Sequence, residues 1–176
     1  MTRSATIPTI PVWSDLLVGA ERLTSLYTGL PPLEGLVLRS VHLSPYGPDL
    51  KLRVELPRYP DRPPPAWAEA GCDRLEVQLH FLAVGEDLHL RGLPRQTVVD
   101  VRLRSLARRR LRVLVQGEGF SLGCSASDSL LVSHLNAYRS GGEDPYLARR
   151  HFESRIDQRL HTVLPPVTTR PFYDHP

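Results

Sequence analysis

The spacing of apolar positions changes along the chain, and each spacing predicts an element. Trp13, Leu16, Leu17, Ala20, Leu23, Leu26 and Tyr27 recur every three or four residues, with Asp15, Glu21, Arg22 and Ser25 between them. That period predicts an amphipathic helix over 13–27, ended by Gly29 and Pro31-Pro32. Beyond it the period drops to two. Leu50 to Leu56 and Leu75 to Phe81 alternate apolar and polar residues, as antiparallel strands do when one face meets a core and the other meets water. Leu52, Val54, Val77, Leu79 and Phe81 are then expected to be buried, and Lys51, Arg53, Glu55, Glu76 and Gln78 to be wet. Weaker alternation over 36–43, 88–91, 98–104, 111–115, 120–124 and 130–135 brings the total to about eight strands. Gly85-Glu86 reads as a two-residue hairpin loop that sets Phe81 opposite Leu90 and His80 opposite Arg91.

The remaining segments are read from their turn residues. Residues 1–12 show no period and form a flexible leader. Tyr59 to Gly71 holds five prolines or glycines in thirteen residues, a surface excursion rather than a strand. Asp144 suits a helix cap and Pro145 the first helical position. Ala148, Phe152, Ile156 and Leu160 then repeat every four residues, predicting a C-terminal helix to about Leu164, where Pro165-Pro166 stops it. The expected fold class is α+β: a largely antiparallel curved sheet of about eight strands, with the N-terminal amphipathic helix packed on one face and the C-terminal helix beyond it.

Length and composition narrow the class without naming a function. A chain of 176 residues with 41% hydrophobic and 23% charged residues fits one globular domain and excludes wholesale disorder. No apolar run approaches the roughly 20 residues of a membrane helix, so a cytoplasmic location without membrane attachment is expected. Two cysteines, Cys72 and Cys124, are too few for a disulfide scaffold or a cysteine metal cluster, and reduced thiols are expected. The net charge of +3 is uneven, since Arg95 to Arg112 contains seven arginines and one aspartate, a local +6. In a hairpin, Arg102, Arg104, Arg108, Arg109, Arg110 and Arg112 gather on one wet face and its turn. Arg104, Arg108, Arg109 and Arg110 are the candidate partner-binding residues, because guanidinium groups make bidentate contacts with carboxylates. Glu34, Glu55 and Glu76 would supply an acidic surface instead. A polyanion or nucleic-acid binding module using 102–112 is the alternative reading. It is disfavoured by the lack of any aromatic residue between Phe81 and Phe120 on which a base could stack.

Catalytic patterns are weak. Gly119-Phe120-Ser121-Leu122-Gly123 spells G-x-S-x-G, with Asp128 and His134 following, but Ser121 alternates as a strand residue and no helix follows. The seven histidines include no H-E-x-x-H. Neither a catalytic residue, a metal site nor a cofactor is expected.

Four blocks carry a family resemblance: WSDLLVGAERLTSLYTGLP (13–31), LVLRSVHLSPYGPDLKLRVELP (36–57), PPPAWAEAGCDRLEVQLHFLAVGEDLHLRGL (63–93) and FSLGCSASDSLLVSHLNAY (120–138). Their order resembles the Immunity protein 50 family of bacterial polymorphic-toxin systems. The resemblance implies an immunity-like α+β domain over 13–138, followed by a C-terminal helical extension and tail over 139–176. It further implies an antidote that binds a cognate protein toxin stoichiometrically and blocks it without catalysis.

Overall fold

The computed structural model describes residues 11–44, 46–141 and 144–168; residues 1–10 of the expected leader lie outside the described residues. The chain runs through a 3-10 turn at Trp13–Leu16, β1 (Leu17–Val18), α1 (Glu21–Thr24), β2 (Leu36–Leu43) and β3 (Leu50–Glu55). It continues with α2 (Pro65–Glu69), β4 (Arg74–Phe81), β5 (His89–Arg91), β6 (Thr97–Leu106) and β7 (Arg110–Gly117). β8 (Phe120–Ser127), β9 (Leu130–Tyr138), β10 (His151–Phe152) and α3 (Arg155–Leu160) follow. Each of the eight segments read as a strand forms one, and β1 and β10 are two-residue additions. All ten join one sheet in the order β1-β9-β4-β3-β2-β6-β7-β8-β5, with β10 also against β9. Every pairing is antiparallel except β1 with β9.

The sheet curls until the chain leaving β4 meets β8, where Gly85 N–H donates to Ser125 O (2.8 Å) and Ser127 N–H to Leu82 O (2.9 Å). Curling turns one face inward on itself, so both halves supply one core. Leu52, Val54, Val77, Leu79 and Phe81 are buried there as expected, together with Leu111, Val113, Val115, Phe120, Leu122 and Cys124. Burial pushes the Cys124 thiol up to about 11, as for an inert core cysteine.

Four expectations are corrected. The N-terminal helix is not continuous: Leu17-Val18 pairs in parallel with Leu130-Leu131, and Gly19 turns the chain at φ +68°. The apolar stripe survives as burial, with Trp13, Leu23, Leu26 and Tyr27 all inside. A free strand edge on β9 competed with the helix and won over residues 17–18.

The 85–86 hairpin does not form either. Both edges of β4 are already occupied, by β3 and β9, so Phe81 lies opposite Leu50 and Leu130. β5 pairs with β8 instead, which leaves Leu90 opposite Leu122 and 45% exposed. His80 is buried opposite Lys51 and Leu131.

The C-terminal helix shrinks to the six residues of α3, capped by the Ser154 hydroxyl rather than by Asp144. Asp144 caps a single turn, accepting from Tyr146 N–H at 3.0 Å. Phe152, whose spacing suggested a helix, lies in β10 and is fully buried.

Finally, the polar face is not wet: Lys51, Arg53, Glu55, Glu76 and Gln78 are all buried. Residues 144–168 form a strap across this face. Tyr146 Oη donates to Arg39 O (3.0 Å), Arg53 Nη2 to Pro165 O (2.7 Å), and Arg150 Nη1 to Asn136 Oδ1 (3.0 Å). Beneath it lies a network of like and unlike charges. Arg39 meets Glu55 at 2.7 Å, Arg150 meets Glu76 at 3.4 Å, and Arg53 approaches Glu76 at 3.8 Å. Burial pushes the Glu76 carboxyl up, and the guanidiniums of Arg150, Arg53 and Arg39 oppose that shift. Two bulges aim this chemistry. The β2–β3 register slips between Leu38 and Ser40, which sets Arg39 in the bulge. The β4–β9 register slips opposite His134, whose φ is +47°.

Candidate partner-binding surface

The arginine-rich stretch forms the expected hairpin. β6 and β7 pair from Val99 with Gly117 to Leu106 with Arg110, leaving Ala107, Arg108 and Arg109 as the loop. Strand parity puts Arg102, Arg104, Arg112 and Leu114 on the outer face, with Arg102 opposite Leu114 and Arg104 opposite Arg112. The six arginines nevertheless do different work. Arg112 pairs with Asp87, and Arg109 lies 3.3 Å from Asp128 while remaining highly exposed. Arg110 is held within the fold, donating to Ala83 O (2.6 Å) and Ser125 Oγ (2.9 Å). Arg102, Arg104 and Arg108 are exposed and make no ion pair among the described residues.

Arg108 and Arg109 have φ of +59° and +57°. Left-handed backbone costs a residue with a Cβ about 1–2 kcal/mol, whereas Asn-Gly adopts it readily. The tip of this hairpin therefore presents two guanidiniums from a conformation that other residues adopt more easily.

Beside the hairpin opens a cleft of about 750 Å³. Its lining includes the apolar residues Trp13, Tyr27, Leu33, Val101, Leu103 and Leu114, together with the exposed Arg102, Arg104 and Glu34. The Trp13 indole N–H is tied to Pro31 O (2.9 Å), and the Tyr27 hydroxyl to Arg58 O (2.7 Å). Burial raises the Tyr27 hydroxyl pKa, so it remains a neutral donor. The cleft was not read from the sequence, because its two walls lie some seventy positions apart. Only the apolar stripe containing Trp13 and Tyr27 hinted that this segment packs on something.

The acidic alternative loses two of its three members, since Glu55 and Glu76 lie under the strap and Glu34 alone is exposed. The G-x-S-x-G residues do not assemble a catalytic group. Ser121 sits mid-ladder opposite Gln116 and Arg91, Asp128 is engaged by Arg109, and His134 Nδ1 faces Asp157 Oδ2 at 3.5 Å. β8 runs on to Ser127, where the motif requires a turn into a helix. Among the described residues, no three His, Cys, Asp or Glu side chains are grouped to hold a metal ion, and no helix is long and apolar enough to cross a membrane.

Compared with known proteins, the chain matches the family described as Immunity protein 50 over residues 19–133. No curated protein and no solved structure matches it. The matched span takes in the sheet from α1 into β9 and stops before the strap.

Proposed function

Because the chain belongs to the Immunity protein 50 family, we propose that it neutralises a cognate bacterial toxin domain by forming a stoichiometric complex with it in the cytoplasm, without catalysis. Family membership is the observation that carries this reading. The rigid sheet supports it physically, as a platform on which a surface of standard size, about 1,600 Å² in total, can be matched to one partner. The binding surface includes the hairpin residues Arg104, Arg108 and Arg109, with Arg110 holding the hairpin base. The local positive charge speeds encounter with an acidic partner, and the exposed guanidiniums fix its carboxylates.

The test is co-expression with the toxin domains encoded beside this gene. The wild-type chain protects the cells, and a variant with the exposed Arg104 and Arg108 replaced by Ser protects less at an unchanged melting temperature. Retained protection moves the surface elsewhere, and absence of protection by the wild type overturns the immunity reading. The three unpaired arginines also favour a second reading, binding of nucleic acid, which salt-dependent retention of the purified chain on DNA would reveal.

A further inference from the structure

The cleft is bordered by an unfinished strand. β2 pairs with β6 only from Thr97 to Val99. Past that point this side of β6 makes one backbone bond among the described residues, in which Val101 N–H donates to Leu33 O at 2.7 Å. In a strand the backbone groups of alternate residues point to the same side, so the N–H and C=O of Leu103 and Ser105 also point to this side of β6, away from β7. Neither has a backbone partner among the described residues. An open edge of this kind is a template for another strand. Here it lies beside the apolar lining of the cleft and two unpaired guanidiniums.

We propose that this edge takes an extended segment of the toxin, added as a strand to β6, in which apolar and acidic residues alternate. The proposal rests on the immunity reading and specifies the partner chemistry. The reasons are geometric. An added strand turns every second side chain to one face of the sheet. On the inner side those side chains meet Trp13, Tyr27 and Leu103. On the outer side they become the cross-strand neighbours of Arg102 and Arg104, where carboxylates are favoured and like charges are not. Backbone hydrogen bonds then supply affinity and the alternation supplies specificity, the recognition mode known as β-augmentation.

Amide hydrogen exchange on the full chain, alone and bound to the toxin domain that it neutralises, tests this. The Leu103 and Ser105 amides exchange freely in the unbound chain and slow by about tenfold or more in the complex. Two variants accompany the measurement. Ser105→Pro removes an edge donor without touching the β7 ladder, and Arg102→Glu with Arg104→Glu reverses the charge of the outer face. Both weaken toxin binding by roughly tenfold or more at an unchanged melting temperature, and the charge reversal also flattens its salt dependence.

If the wild type binds the toxin but the two amides exchange as before and both variants retain affinity, the edge proposal is wrong and the immunity reading stands. If these amides are already protected in the unbound chain, the edge is covered by the chain itself or by a second copy, and the proposal is equally wrong. If the wild type binds none of the neighbouring toxins, both readings fall.

Discussion

Arg108 and Arg109 occupy backbone positions that Asn-Gly fills with less strain, so the hairpin tip trades stability for two exposed cations. Replacing the pair with Asn and Gly is expected to stabilise the fold by about 1 kcal/mol or more, since relief of the left-handed strain exceeds the loss of an exposed Arg109–Asp128 ion pair. Thermal unfolding would show this as a rise in Tm of about 3 °C per kcal/mol, accompanied by weaker toxin protection. A fall in Tm would show that the positive φ angles carry no strain. Two core positions give a contrast in mechanism. Leu79→Ala opens a cavity in the fully buried inner face and should remove about 2–5 kcal/mol in urea unfolding. Glu76→Ala leaves Arg39 with Glu55 and removes the one carboxylate paired with Arg53 and Arg150 among the described residues, at a cost of about 3–5 kcal/mol. From alternation alone Glu76 reads as a surface residue with an effect near zero, so this substitution separates the two descriptions of the face.

At the scale of elements, alternation was a reliable guide wherever a strand had two neighbours to satisfy. Each strand expected from its period is present, including the hairpin that gathers the arginines, because hairpin pairing is local and the pattern of a few residues contains it. Helical period was a poorer guide. The stripe at 13–27 recorded burial, whereas of the one at 148–160 only Ala148 and Phe152 are buried and Ile156 and Leu160 stay exposed. A strand edge on β9 took part of each segment, and only Glu21–Thr24 and Arg155–Leu160 remained helical. A three- to four-residue period states that a segment has one buried side; it does not state that the neighbour leaves the segment's own backbone bonds intact. β5 was misplaced for a related reason, since its partner depended on which edge of β4 was still free.

β5 also yields a pH prediction. Its anchor is Asp87, which accepts from the Ser125 N–H and hydroxyl, both at 2.9 Å, and pairs with Arg112. The Ser125 backbone hydrogen bond, then its hydroxyl and Arg112, hold the Asp87 carboxyl below its ordinary value of 3.8. A depressed carboxyl pKa contributes stability above the unfolded value that is lost as pH falls through the folded one. The β5–β8 contact is therefore expected to loosen below about pH 4. Exchange of the Ser125 amide should accelerate there in the wild type, and Asp87→Asn should remove that step. An identical acid profile in both proteins would assign the loosening to another group.

For the whole molecule, the hairpin half of the candidate surface was legible and the cleft half was not. The cleft joins residues 11–34 to residues 101–114, and that approach depends on the curl of the complete sheet. The second face was hidden for the same reason. An alternating strand with charged residues reads as half-wet unless something later in the chain covers it, and the cover here is an irregular strap with no strand period of its own. Ser121→Ala, on an outer ladder position away from this network, should leave Tm and toxin protection unchanged, whereas loss of protection with an intact fold would revive a catalytic role.

The ionic second face has a consequence for the order in which the protein is made. Residues 19–133 are synthesised before the strap at 144–168, and at roughly 5–20 residues per second the nascent sheet waits on the order of seconds for its cover. An apolar face left open for that interval would be a template for association with other nascent chains. Lys51, Arg53, Glu55 and Glu76 instead keep the half-built sheet hydrated, and the charges are withdrawn from water only when Arg150 arrives to complete their pairing. The buried network thus acts as a surface during synthesis and as an interior afterwards.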